Sequence, residues 1–299
     1  MQEAMHSMLE TNESEARINI NQYPGPYKKQ LFKMIGNKQR FAHEIIGFFP
    51  EKFGAYFEPF MGSGGVMGVL SPNCAFGSDA DGPLMEIWKK VRDEPETVKA
   101  WYASRWQQMM RGHKETEYER IKESFNRNPN GADYIFLCRT CYGGVVRFRK
   151  ADGYMSTPCG PHRPMHPEEF GKRVDEWSKR IRKVCLDNMD YRRSIDRAKK
   201  GDLVYCDPPY SDTQAILYGS QSFSLEDLFC CIEECKNRGV LVALSIDGSK
   251  KSGEKICDVE IPKGIFEYEV GVEVGRSMLR RFQREGDTLE DEIVKDRLL

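Results

Sequence analysis

The run Asp207-Pro208-Pro209-Tyr210 follows the apolar stretch Leu203-Val204-Tyr205-Cys206, so a carboxylate, two ring-locked residues and an aromatic leave the end of a strand together. Two prolines fix the direction of a main-chain carbonyl and keep it out of ladder pairing. The Asp207 carboxylate and the Pro208 carbonyl could then each accept one hydrogen of an exocyclic amine such as adenine N6. The amine's lone pair, otherwise delocalised into the ring, would be aimed at an electrophilic carbon, with Tyr210 stacked on the base. Such catalysis is positioning and electrostatics. The plainer reading is a strand that ends in a proline-stiffened turn. Upstream, Phe60-x-Gly62-x-Gly64 stands where a strand turns into a helix. Glycines there let a ligand approach the backbone at the carboxyl end of a strand, although such turns also serve nucleotides, flavins and plain close packing. Asp79 ends the next strand, roughly 20 residues on, where α/β folds place a carboxylate on ribose hydroxyls. Its alternative role is a helix cap.

These residues need elements to hold them, and the pattern supplies them. Short strands are expected at Tyr56-Phe57, Cys74 to Asp79, Leu203 to Cys206 and Val240 to Ser245, with helices at Val66 to Leu70 and Leu225 to Arg238. Apolar residues recur at helical spacing from Lys28 to Phe49, broken at Gly36-Asn37, and two or three charged helices fill Leu84 to Asn126. The texture then changes. Tyr134 to Leu137 is apolar, Gly143-Gly144 and Asp152-Gly153 are turn signals around an extended Val145 to Arg149, and a proline-rich loop runs from Pro158 to Pro167, which together read as a hairpin. A helix from Pro167 to Val184 leads back to the strands. Strands alternating with helices on both sides of an insert imply a doubly wound α/β domain interrupted by a smaller one. The first 22 residues are polar and aperiodic and read as a leader without fixed structure, order starting near Tyr23.

A length of 299 residues allows one large domain or two unequal ones, and with 39% hydrophobic and 30% charged residues no apolar run reaches a membrane span. Ten scattered cysteines fit reduced thiols in a cytoplasm better than a disulfide framework. Sixteen Lys/Arg face eight Asp/Glu between Arg139 and Lys200 on a chain of net charge -1. This basic segment on an acidic body suits phosphate contacts, or simply a solvated helix face. Cys138-x-x-Cys141 with Cys159-x-x-His162 has the spacing of a zinc site.

The ordered set Tyr56-Phe57-Glu58-Pro59-Phe60-Met61-Gly62-Ser63-Gly64, Asp79 and Asp207-Pro208-Pro209-Tyr210 resembles the Dam family of DNA adenine-N6 methyltransferases in its alpha motif order. The resemblance runs from about Tyr27 to the C-terminus. Met34-Ile35-Gly36-Asn37-Lys38 sits where the family has an aromatic followed by Ala-Gly-Gly-Lys. Cys185-Leu186-Asp187 resembles the strand whose aspartate binds the cofactor's adenine amine. Arg139 to Gly160 resembles the recognition hairpin, with Gly143 where many relatives carry asparagine, and Phe223-Ser224-Leu225 and Arg276-Ser277 have counterparts.

The resemblance implies a Rossmann-like methyltransferase sheet over residues 23–90 and 185–299, with a helical and hairpin target-recognition insert at 91–184. It implies S-adenosylmethionine as cofactor, held by Gly36, Lys38, Pro59, Phe60, Gly62, Ser63, Gly64, Asp79 and Asp187. Catalysis falls to Asp207, Pro208, Pro209 and Tyr210, and duplex DNA to Arg139, Tyr142, Gly143, Arg147, Arg149 and Pro158. The target base would be flipped into the pocket. The family builds its hairpin without metal, so no metal is expected. A bacterial or phage origin and a cognate restriction endonuclease as partner are further implications. Adenine in RNA or an amide nitrogen as acceptor, and a DNA-binding module without catalysis, are the competing readings.

Overall fold

The computed structural model describes residues 18–19, 21, 23–34, 36–209, 223–250, 255–256, 259–276 and 293–299. Tyr210, Ser277 and most of the expected leader lie outside them. The strands are β1 (Ile18–Asn19), β2 (Lys52–Phe53), β3 (Tyr56–Glu58), β4 (Ala75–Asp79), β5 (Val184–Asn188), β6 (Leu203–Cys206), β7 (Leu241–Lys250), β8 (Lys255–Ile256), β9 (Val270–Arg276) and β10 (Ile293–Leu298). The α-helices are α1 (Ala42–Gly47), α2 (Gly65–Leu70), α3 (Gly82–Asp93), α4 (Pro95–Arg111), α5 (Lys114–Arg127), α6 (Gly131–Thr140), α7 (Pro167–Arg180), α8 (Tyr191–Asp196) and α9 (Leu225–Asn237).

Residues of the central strands alternate between two buried faces. Tyr56, Leu203 and Tyr205 join a core with α1 to α7, while Phe57, Val204 and Cys206 join a second core with α8 and α9. A strand apolar on both faces must be covered by helices on both, and the main sheet follows the order β5-β4-β3-β6-β7-β10-β9, with β8 paired to β7. Strands β5, β4, β3, β6 and β7 are mutually parallel and β10 runs antiparallel between β7 and β9. This is a mixed α/β, Rossmann-like sheet. From β3 the chain winds outward through β4 and β5, then returns to β6 on the other side of β3 and winds outward again. The carboxyl ends of β3 and β6 therefore flank the topological switch point, where such sheets bind ligands.

Three local expectations are corrected. The apolar spacing before Gly36 is no helix. The carbonyls of Lys29, Gln30 and Leu31 accept hydrogen bonds from Trp177 Nε1, Arg173 and Arg139 instead of from a helical turn, and Leu31, Phe32 and Met34 are buried from an irregular segment. Tyr134 to Leu137 belongs to α6, not to a hairpin arm. All ten residues of α6 are buried, so it has no polar face from which a helical period could be read. Finally, order begins before Tyr23, because β1 pairs antiparallel with β2 through main-chain bonds that need no side-chain period.

Helices α3 to α7 and the hairpin lie between β4 and β5 in the chain. The hairpin has antiparallel bridges at Cys141 with Cys159 and Phe148 with Met155. It is pinned to α5 by Tyr118 Oη donating to Thr157 O (2.9 Å), Lys114 Nζ donating to Gly160 O (2.5 Å), and Asn126 Oδ1 accepting from Met155 N (2.6 Å). Among the described residues, no helix is long and apolar enough to cross a membrane.

Candidate active site

A cavity of about 470 Å³ opens at the switch point, within the range of small-molecule and cofactor sites. The turn after β3 forms its floor. Gly62 (φ 48°) and Gly64 (φ 62°) adopt left-handed backbone, which costs other residues roughly 1–2 kcal/mol. The turn is clamped at three points. Gly62 N–H donates to Asp79 Oδ2 (2.9 Å), Trp88 Nε1 donates to Gly62 O (2.9 Å), and a Cβ at Gly64 would lie 2.8 Å from the Trp88 ring. Trp88 is fully buried and cannot retreat. Gly64→Ala is therefore expected to cost about 2–4 kcal/mol, the backbone strain plus overpacking. Gly201→Ala also sits at positive φ but has open space around it, so it should cost only the backbone part. Urea unfolding of both variants checks this, and equal losses would remove the Trp88 contact as a constraint.

Asp79 is bound to its own backbone on both oxygens, since Oδ1 also accepts from Asp81 N (3.0 Å). These bonds brace the turns after β3 and β4 and cap no helix, since α3 is capped by Asp81, and the carboxylate also lines the cavity. Burial pushes it above the usual carboxylate range. Asp81, the N-cap of α3, is raised to about 6, by burial first and then by Asp79.

At the other end, Asp207 follows β6 and pairs with Lys38 (Oδ1 to Nζ 2.9 Å), whose side chain is only 6% exposed. Glu58 is buried beside them and accepts from Tyr56 Oη (3.0 Å). Burial, reinforced by nearby Asp207 against the opposing hydrogen bond from Tyr56, pushes Glu58 to about 8, so it holds its proton at neutral pH. Between the two ends stands an aromatic wall. Phe60 stacks on Tyr191 (4.9 Å between centroids) and Phe223 meets both edge-on.

Of the residues expected to hold a cofactor, Gly36, Lys38, Pro59, Phe60, Gly62, Ser63 and Asp79 line this cavity, as do Asp207, Pro208 and Pro209. Gly64 supports the turn from behind. Asp187 does not line it. Its carboxylate pairs with Arg197 (2.8 Å) on the far side of the β5 end, and it is Asp190, N-cap of α8, that reaches the cavity with Tyr191. Sequence reasoning missed Asp190, Tyr191 and Asn37. An Asp-Tyr pair at a helix start just beyond a strand was the available signal. Met34, in place of an aromatic, is buried and also contributes lining.

On the hairpin, Tyr142, Gly143, Arg147, Arg149 and Pro158 are exposed. Arg147 is presented outward between Val146, buried in the core, and Phe148, which lines the cavity. Arg149 is engaged by Asp152 through two bonds (3.0 and 2.6 Å) and lies over Tyr154. Arg139 departs from expectation. It is buried in α6, and its Nη1 donates to Leu31 O (2.7 Å), tying the insert to the segment before Gly36. Of the zinc-spaced residues, Cys138 is buried in α6 and His162 is exposed. Among the described residues, no group of three or more His, Cys, Asp or Glu could hold a metal.

A doubly wound sheet with a glycine turn and an acid-proline pair meeting at its switch point is the arrangement of a Rossmann-like methyltransferase. The sequence comparisons give the family. The model of the D12 class N6 adenine-specific DNA methyltransferases matches residues 34–262, and the chain belongs to that family, as an enzyme of Dam type. It is 25% identical over 245 residues to the type II methyltransferase M1.LlaDCHI of Lactococcus lactis subsp. cremoris, covering 77% of this chain and 85% of that one. It is 25% identical over 233 residues to a DNA adenine methylase of Vibrio cholerae serotype O1, covering 73% and 82%. It is 26% identical over 207 residues to the retron Ec67 DNA adenine methylase of Escherichia coli, covering 67% and 69%.

Proposed function

We propose that this enzyme transfers a methyl group from S-adenosylmethionine to N6 of an adenine flipped out of duplex DNA. The observation that carries the reading is the meeting, in one cavity, of the β3 glycine turn with the Asp207-Pro208-Pro209 end of β6. The cavity fits the donor's chemistry. Its aromatic wall suits a purine, and Asp79 and Asp190 both line it as acceptors for hydroxyl and amine donors. When bound, the cofactor supplies an electrophilic sulfonium methyl. Asp207 and the Pro208 carbonyl accept the two N6 hydrogens and direct the lone pair. Lys38 holds Asp207 in one rotamer until the base arrives, and Asp190, rather than Asp187, takes the cofactor's adenine amine. Tyr210, outside the described residues, is the residue assigned to stack on the base.

The division of labour follows the insertion. Residues 23–90 and 185–299 carry cofactor and chemistry, and 91–184 read the DNA, with the exposed hairpin residues against phosphates and base edges. Pairing with a restriction endonuclease is in keeping with the type II methyltransferase among the relatives. Transfer of labelled methyl from S-adenosylmethionine to duplex DNA, RNA and protein in parallel tests the reading. N6-methyladenine in duplex DNA alone is expected, and label confined to RNA or protein would end the proposal.

Arg147 is assigned to base reading. With Val146 and Phe148 turned inward, its fork faces outward and matches O6 and N7 of guanine. Arg147→Ala should cost about 1–3 kcal/mol on the cognate site and relax discrimination at one guanine. Methylation rates on duplexes carrying single-base substitutions decide this. A uniform drop with unchanged preference, and a salt slope flatter by about one unit, would make it a phosphate contact.

A further inference from the structure

Asn37 carries a donor that has no acceptor among the described residues. Its Oδ1 accepts the Gln39 N–H at 2.8 Å and caps the 3-10 turn Lys38–Arg40. This bond fixes the amide's orientation, because a flipped amide would set N–H against N–H. Nδ2 is consequently directed away from the turn, is buried, and has no hydrogen-bond partner. A buried unpaired donor is costly, about 1–3 kcal/mol, and calls for a partner such as a water, an ion or a ligand. Asn37 lines the cavity, its Oδ1 facing Gly65 at the start of α2 and its chain neighbour Lys38 paired to Asp207. Asp207 and the buried Glu58 line the same cavity. Asn37 also stands where the family pattern has a glycine, so this side chain is an addition of the present sequence.

We infer that the Asn37 carboxamide is a cofactor-positioning group that donates from Nδ2 to the carboxylate of the donor's amino-acid tail. The inference rests on S-adenosylmethionine being the methyl donor. At the end of the cavity away from Asp79, that molecule offers a sulfonium, an ammonium and a carboxylate. Only the carboxylate accepts hydrogen bonds, and among acids it needs a neutral or cationic donor that is not already taken. A carboxamide meets the need without a charge that would compete with Lys38 for Asp207.

Calorimetry on the full chain with two ligands, S-adenosylmethionine and its decarboxylated analogue, tests this without any turnover. Asn37→Asp keeps the acceptor for Gln39 N–H but replaces the donor with a carboxylate oxygen. It should weaken S-adenosylmethionine binding at least tenfold and leave the decarboxylated analogue unchanged or tighter. Asn37→Gly, the residue of the family pattern, should weaken S-adenosylmethionine about tenfold and change the analogue less than twofold. Unfolding midpoints taken alongside show that both variants are folded. Equal weakening of the two ligands would make Asn37 a turn cap only and overturn the inference, as would no change for either. A wild-type chain that binds neither ligand would instead bring down the donor assignment itself.

Discussion

Asp207→Ala is expected to abolish methyl transfer, with a loss of at least about 10³-fold, while the cofactor dissociation constant changes only a few-fold. Removing one preorganised acceptor aimed at a developing charge costs about 10²–10³-fold in rate, and here the remaining acceptor, Pro208 O, can hold only one N6 hydrogen. In the proposed reading the cofactor is held elsewhere, by the glycine turn and Asp79. The variant also removes the carboxylate paired with the buried Lys38 ammonium, and removing one partner of a buried pair costs up to about 3–5 kcal/mol. Stability must therefore be measured beside rate. Asp207→Asn, which keeps the shape and puts no bare cavity beside Lys38, should be as inactive but closer to wild type in unfolding. Single-turnover rates on duplex DNA with saturating cofactor give the answer, and near-normal methylation by either variant would end the proposed mechanism.

Asp79→Ala should act on the opposite quantity. Two hydroxyl bonds to a carboxylate are lost, worth about 2–4 kcal/mol in cofactor affinity, or roughly 30- to 1000-fold in dissociation constant. The turn loses an anchor as well, because Gly62 N–H and Asp81 N–H both donate to this carboxylate. Asp79→Asn separates the two effects. Its Oδ1 can still accept one main-chain N–H, so the turn should be partly kept while hydroxyl binding falls. Calorimetry measures both variants. An unchanged dissociation constant for Asp79→Ala would leave Asp79 as a structural cap of the β3 turn and move ribose binding to Asp190 or Ser63.

Much of the site was legible in the chain because its residue types are forced by local geometry. Gly62 and Gly64 are needed for left-handed backbone, and Pro208 and Pro209 stop a strand that the apolar run Leu203 to Cys206 announces. Asp79 could be placed by counting along a strand-helix-strand unit. Each signal is local, so the sequence by itself determined the class of fold, the order of its motifs and the ends of the strands on which they sit. It also placed the long, mainly helical stretch that lies between β4 and β5 in the chain.

Only the tertiary structure decided who meets whom. The pairing of Lys38 with Asp207, the clamp of Trp88 on Gly62, and the pinning of the hairpin by Asn126 join positions far apart in the chain. Apolar periodicity reports which face of an element is buried, never against what. Where every face is buried, as in α6, or where carbonyls are taken by distant side chains, as at Lys29 to Leu31, even the element type is hidden. That Asp190 lines the cavity and Asp187 does not has the same origin. A carboxylate at a strand end can be counted to within a residue or two, but one turn of chain decides whether it meets Arg197 or the cavity, and that turn is set by how α8 packs against the sheet.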